Sequence, residues 1–173
     1  SELEKLVEDL RRAAKESHER NEKLLDESRK TVEDVKRKLE EILRRSEEVV
    51  REIKKKKKDI DKEKVKRDLD ELHKRTRDLL EKLKRELDEL HKRSKEELED
   101  NKRRLEELLE KVERDGADEE VRRRVEKLIE ENRRSSRRVE EEDKRLLKEL
   151  KDAIKRVEEE DKKLVEELRR SEK

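Results

Sequence analysis

The sequence predicts an all-α fold: a single-chain, antiparallel, up-down-up bundle of three long, nearly straight helices. Three observations carry this. Helix-breaking residues are almost missing: the 173-residue chain holds one Gly and no Pro, where ordinary usage would give roughly a dozen and roughly nine. Apolar residues recur at helical spacing from end to end. Two short interruptions divide the chain into three nearly equal parts, and short connections between such parts imply antiparallel neighbours. The expectation is one domain, 1–173, with helices at about 2–57, 62–114 and 118–172 and turns at 58–61 and 115–118.

The first helix opens on Ser1 and Glu4, spaced as a capping box in which each side chain satisfies a free N–H of the other. It closes on the basic run Lys54 to Lys58, a solvated last turn whose cations oppose the negative helix terminus. In the first turn, Asp61 is placed to cap the second helix, with Ile60 and Val65 at the positions of a hydrophobic staple. The stripe of the second helix reads Val65, Leu69, Leu72, Thr76, Leu80, Leu83, Leu87, Leu90, Ser94, Leu98, Asn101, Leu105, Leu108, Val112. That is 47 residues in 13 steps, or 3.6 per step. A left-handed coiled coil would hold nearer 3.5, so little supercoiling is needed. In the second turn, Gly116 suits a left-handed helix-ending residue, and Asp118 is placed to cap the third helix. At about 1.5 Å per residue each helix is roughly 80 Å long.

An 18-residue module recurs within the helices. Leu69-Asp70-Glu71-Leu72-His73 returns as Leu87-Asp88-Glu89-Leu90-His91, and Arg138 to Asp143 returns as Arg156 to Asp161. Eighteen residues make five helical turns, so each copy faces the same way about 27 Å along.

Charged residues make up 64% of the chain, with 56 Lys plus Arg against 55 Asp plus Glu. Such a content suits disorder, but the periodicity argues for helix. The signs are interspersed, so no basic field marks a nucleic-acid partner, and no Phe, Trp or Tyr is present to stack bases. No apolar run reaches the roughly 20 residues of a membrane span, and no signal-peptide pattern is present. The expectation is a soluble protein, produced recombinantly in a cytoplasm, without cofactor, nucleic-acid partner or membrane association.

The polar residues on the stripes fall into layers. Positions equidistant from a turn face each other in a hairpin. On that basis Ser46, His73 and Asp161 share one level, and Ser28, His91 and Asp143 share another. Thr76 and Ser94 lie one turn from their histidines and are expected to join. A third layer gathers Ser17, His18, Asn21, Asn101, Asn132 and Ser135 or Ser136.

Ser, His and Asp in one layer allow the hydrogen-bond chain of a hydrolytic triad. Hydrolysis also needs free donors aimed at an oxyanion and a concave pocket. Mid-helix N–H groups are already engaged, and no nucleophile elbow is present. The layers therefore read as buried networks, with no catalytic residues. They read as no metal site either, since the three histidines stand in different layers and zinc wants three or four protein ligands. An unpaired buried polar group costs about 1–3 kcal/mol, so a slip of one turn would be penalised several times over. Donors from His and Ser are expected to hold Asp143 and Asp161 below the usual carboxylate range, giving a loss of stability below about pH 4.

With its missing residue types, repeated modules, aligned polar layers and short capped turns, the chain resembles de novo designed helical bundles that carry buried hydrogen-bond networks. The resemblance covers the whole chain. It implies a structural scaffold with no natural function, in a class that also holds pairing modules and pH-responsive assemblies. The first expectation is a monomeric scaffold, not an enzyme. The alternative is an association module, self-associating or pairing with a designed partner chain, with pH response through buried His. Leu25, Leu43, Val50, Leu80, Leu109, Leu147, Ile154 and Val165 discriminate the two: buried, they complete a three-helix core, while exposed they form an apolar strip that drives association.

Overall fold

The computed structural model describes residues 1–56 and 60–171. Three helices follow one another, α1 Glu2–Lys56, α2 Lys62–Arg114 and α3 Glu119–Arg170, and they form an all-α three-helix bundle. The expected end of the first helix at 57, the first part of the turn at 58–59, Lys57 and Lys58 of the basic run, and residue 172 lie outside the described residues.

Each helix begins where a short polar side chain ends the extended chain. The carbonyls of Ser1, Asp61 and Asp118 accept the first intrahelical bonds, from Lys5, Val65 and Arg122, as N-cap residues do. Asp118 is thus the cap itself, and α3 starts one residue later than expected. The Glu4 N–H donates to Ser1 Oγ at 3.3 Å and the Lys64 N–H to Asp61 Oδ1 at 3.1 Å. α2 ends on Gly116 with φ of 59°. The Ala117 N–H reaches back to the Val112 carbonyl at 3.1 Å, the long closing bond of a Schellman motif. Ala117 packs on the apolar cluster containing Val112, which supplies the hydrophobic contact of that motif. At the end of α3, Lys62 Nζ donates to the Ser171 carbonyl and hydroxyl at 2.9 and 3.1 Å, placing a cation at the negative helix terminus.

Contacts divide the bundle into two compact units, each holding a piece of all three helices. Unit 1 joins Ser1–Ser28 with Leu87–Arg145, and unit 2 joins Arg29–Glu86 with Leu146–Lys173. In unit 1 the core clusters Val7 with Leu105, Leu108, Val112, Val121, Val125 and Leu128, and Leu25 with Leu98 and Val139. In unit 2, Val50 and Ile53 meet Leu69, Leu164 and Leu168. Within either unit, rising numbers on α1 meet falling numbers on α2, as antiparallel packing requires.

Of the eight discriminating residues, Leu25, Leu43, Val50, Leu80 and Ile154 are buried, and Leu109, Leu147 and Val165 are half-buried. The five buried residues belong to the three-helix core, and Leu109 packs against it. The expected stripe of α2 needs correction: Leu72 and Leu90 are exposed, at 42% and 40%. His73 and His91 point inward instead, and a neighbour one residue back sits about 100° around the helix. The pairs cannot both face the core.

Candidate functional site: Ser, His and Asp layers

The unit 2 layer is complete. His73 is fully buried and Ser46 nearly so. His73 Nδ1 lies 2.6 Å from Asp161 Oδ1, and its Nε2 lies 3.2 Å from Ser46 Oγ. A carboxylate only accepts, so Nδ1 carries the proton and donates to Asp161. Ser46 Oγ is also 2.9 Å from the Ile42 carbonyl of its own helix. Its single proton serves either that carbonyl or Nε2, so the layer holds a neutral or a protonated imidazole without leaving an orphan. One residue from each helix meets here, as the spacing predicts.

The sequence reading missed a fourth member, Asp70. A hydrogen bond with Asp161, then burial and the Asp161 charge, push its carboxyl from the usual 3.8 up to about 6. The signal was present: Asp70 precedes His73 by three residues, a spacing that puts both on one helix face. Thr76 does not join the layer. Its hydroxyl donates to the Leu72 carbonyl of its own helix at 2.8 Å, because a hydroxyl one turn from the layer finds its own backbone first.

The unit 1 layer is only half formed. His91 is fully buried, and its Nδ1 lies 2.7 Å from Asp143 Oδ1. Its Nε2 is buried with no hydrogen-bond partner, so Ser28, though buried, does not bond it. Ser94 is buried beside the layer. Lys95 Nζ stands 3.6 Å from Asp143 Oδ2. The expectation of a depressed Asp143 is overturned. Burial raises its carboxyl above the usual value, against the lowering by His91 and Lys95, and the charge of Asp88 raises it further. His91 and Lys95 together do not outweigh desolvation.

The third layer breaks up. Asn132 Nδ2 donates to the Leu98 carbonyl at 3.0 Å, and His18 Nδ1 lies 3.3 Å from Ser135 Oγ in an exposed pair. Ser17 Oγ, Asn21 Nδ2 and Asn101 Nδ2 are buried atoms without a partner. Distance from a turn fixes the level of a residue but not its direction. Ser17 and His18 are adjacent and about 100° apart, so with Ser17 inward His18 turns to solvent.

No protein-family model, curated protein or solved structure matches this chain. Among the described residues no three His, Cys, Asp or Glu side chains converge as metal ligands, and no helix is long and apolar enough to cross a membrane. The chemistry of the layers is hydrogen bonding between helices. In unit 2, Asp161 holds the ring of His73 as a triad acid would, but the ring is closed in by three helices.

Proposed function

We propose that the chain is a designed helical bundle, a structural scaffold whose buried polar layers fix the register of its helices. The observation that supports this most is the Ser46–His73–Asp161 chain, in which each helix supplies one residue and every ring nitrogen has a partner. Sliding any helix by a turn would strand a buried donor or acceptor, at about 1–3 kcal/mol for each group. Paired polar groups contribute little net stability relative to apolar ones, so the layer serves specificity. A hydrolytic role is disfavoured because a substrate carbonyl would have to reach Ser46 beside a ring that has no exposed surface.

Two measurements test this. Activity on an activated ester is expected to stay at background and to be unchanged in Ser46→Ala and His73→Ala. Replacing Ser46, His73 and Asp161 together by Leu is expected to keep or raise the melting temperature. Ester cleavage lost in both single variants, or a large fall in melting temperature for the triple variant, would overturn the scaffold reading.

A further inference from the structure

In unit 2 the flanks of α1 and α2 that face away from α3 differ in character from those that face it. α1 and α2 each have one flank turned to α3 and one turned away. On α1 the α3-facing flank is marked by Glu40, paired with Arg156, and by Lys54, paired with Glu167. On α2 it is marked by Arg77, paired with Glu158, and by Asp70 beside Asp161. Ile42 follows Glu40 by two residues, Leu72 follows Asp70 by two, and Leu79 follows Arg77 by two. Two residues turn a helix by about 200°, so these apolar side chains stand on the opposite flanks. Those flanks form the two walls of the outer trough between α1 and α2.

Both walls are apolar. Ile42 and Val49 line α1, and Leu72, Leu79 and Leu83 line α2. Ile42 and Leu83 are half-buried, while Val49, Leu72 and Leu79 are exposed at 45%, 42% and 67%. A hollow of about 550 Å³ runs from Val49 to Ile53 and Ile60, edged by Arg45, Glu48, Glu52 and Lys56. The α3-facing flanks, by contrast, carry charged residues. A scaffold with no partner has no use for a two-walled apolar trough, which an exposed Leu only weakens.

The rims of the trough carry opposite charge. Outside Ile42 and Val49, one turn back along α1, stand Lys38 and Arg45, with Lys56 further on. Outside Leu72, one turn back along α2, stands Asp68, with Asp61 before it and Glu86 beyond Leu83. Arg75 breaks the α2 row but is held by Glu71, as Arg45 is held by Glu41. Glu86 is likewise held by Lys82, which leaves Lys38 and Lys56 on the α1 rim and Asp61 and Asp68 on the α2 rim.

We infer that this trough in unit 2 is the docking site for one amphipathic helix of a partner, acidic along the edge that meets α1 and basic along the edge that meets α2. The shape selects one helix. Two apolar walls make a seat for a cylinder about 10 Å across, whose apolar residues enter between the walls as knobs into holes. A second copy of this chain would set trough against trough and leave the floor of each uncovered. The wall from Leu72 to Leu83 runs eleven residues, about 16 Å, so three or more turns of the partner are engaged.

The test uses the full chain and three synthetic peptides, each about four heptads long with Leu at the core positions. One carries Glu on one flank and Lys on the other, one Glu on both, one Lys on both. Fluorescence anisotropy at nanomolar labelled peptide is expected to show binding of the mixed peptide, tighter than either uniform one and weakened by salt. Leu79→Glu is expected to weaken it at least tenfold, with helicity by circular dichroism unchanged because Leu79 is two-thirds exposed. Leu6→Glu, in unit 1, is expected to leave binding intact. Absence of binding, equal binding to Leu79→Glu, or equal affinity for all three peptides would overturn the assignment. So would sedimentation of the chain alone as a dimer that Leu79→Glu dissociates, which would make a second copy the occupant.

Discussion

The two histidine layers have the same sequence logic but different hydrogen bonding, and this predicts different costs for one substitution. His73→Leu removes two formed bonds, to Asp161 and to Ser46. His91→Leu removes one, to Asp143, and also removes a buried nitrogen that has no partner. Both variants lose an aspartate contact of similar length and gain a similar apolar side chain, and each stranded carboxylate keeps some relief, Asp143 from Lys95 and the half-buried Asp161 from solvent, so these contributions offset in the comparison. What remains is one neutral hydrogen bond, about 0.5–1.5 kcal/mol, and one relieved orphan, about 1–3 kcal/mol. His91→Leu is therefore expected to be more stable than His73→Leu by about 1.5–4.5 kcal/mol. Guanidinium melts at pH 7, followed by circular dichroism and fitted with a common slope, give the difference from the midpoints. Each variant strands an aspartate, so both are expected below the parent, His91→Leu by less. Equal midpoints, or the reverse order, would refute the claim that Ser46 completes one layer while Ser28 leaves the other open.

Further outcomes follow from single groups. Asp70 titrates in the folded chain at about 6, above its usual 3.8, so the native state binds the extra proton between these values and that contribution to stability fades as pH rises through about 6. Asp70→Asn is expected to raise the guanidinium midpoint more at pH 7 than at pH 4.5. His73 is common to parent and variant, so a shift of equal size at both pH values would count against the carboxyl pair. Gly116→Ala meets no neighbouring atom within 4 Å, so its cost is that of a left-handed backbone alone, about 1–2 kcal/mol, with Gly116→Asn costing less; a neutral Gly116→Ala would contradict the Schellman ending. Asn21→Leu removes a buried donor that has no partner and is expected to raise the melting temperature, whereas Asn132→Leu, which loses the bond to the Leu98 carbonyl, is expected to raise it less or lower it.

The fold was legible because every local signal pointed the same way. The boundaries of α2, the cap at Asp61 and the left-handed Gly116 followed from residue type alone, and the level of each layer followed from distance to a turn. Direction around the helix was less legible. The stripe of α2 was traced through Leu72 and Leu90, yet the core takes His73 and His91, and the displaced leucines become exposed flanks. Ser46 and Ser28 hold equivalent places in the sequence, but only one reaches its histidine; side-chain packing decides that, and no spacing rule resolves it. Asp70 stands three residues before His73, but many charged residues flank the stripes and its position is exposed, so spacing alone does not single it out. The raised Asp143 was missed because its sign depends on how many donors reach it.

The central claim is that the buried polar layer sets helix register, and pulsed electron resonance measures register directly. Spin labels at Arg44→Cys on α1 and Lys74→Cys on α2, both exposed positions of unit 2 in a chain without native cysteine, report the offset between the two helices. With the Ser46–His73–Asp161 layer intact, a single narrow distance distribution is expected. With all three replaced by Leu, the distribution is expected to broaden or split, toward offsets of one turn, about 5.4 Å, while the chain stays helical and as stable as before. The same narrow distribution in both proteins would contradict the account, because register would then be set by the apolar packing and the turns alone.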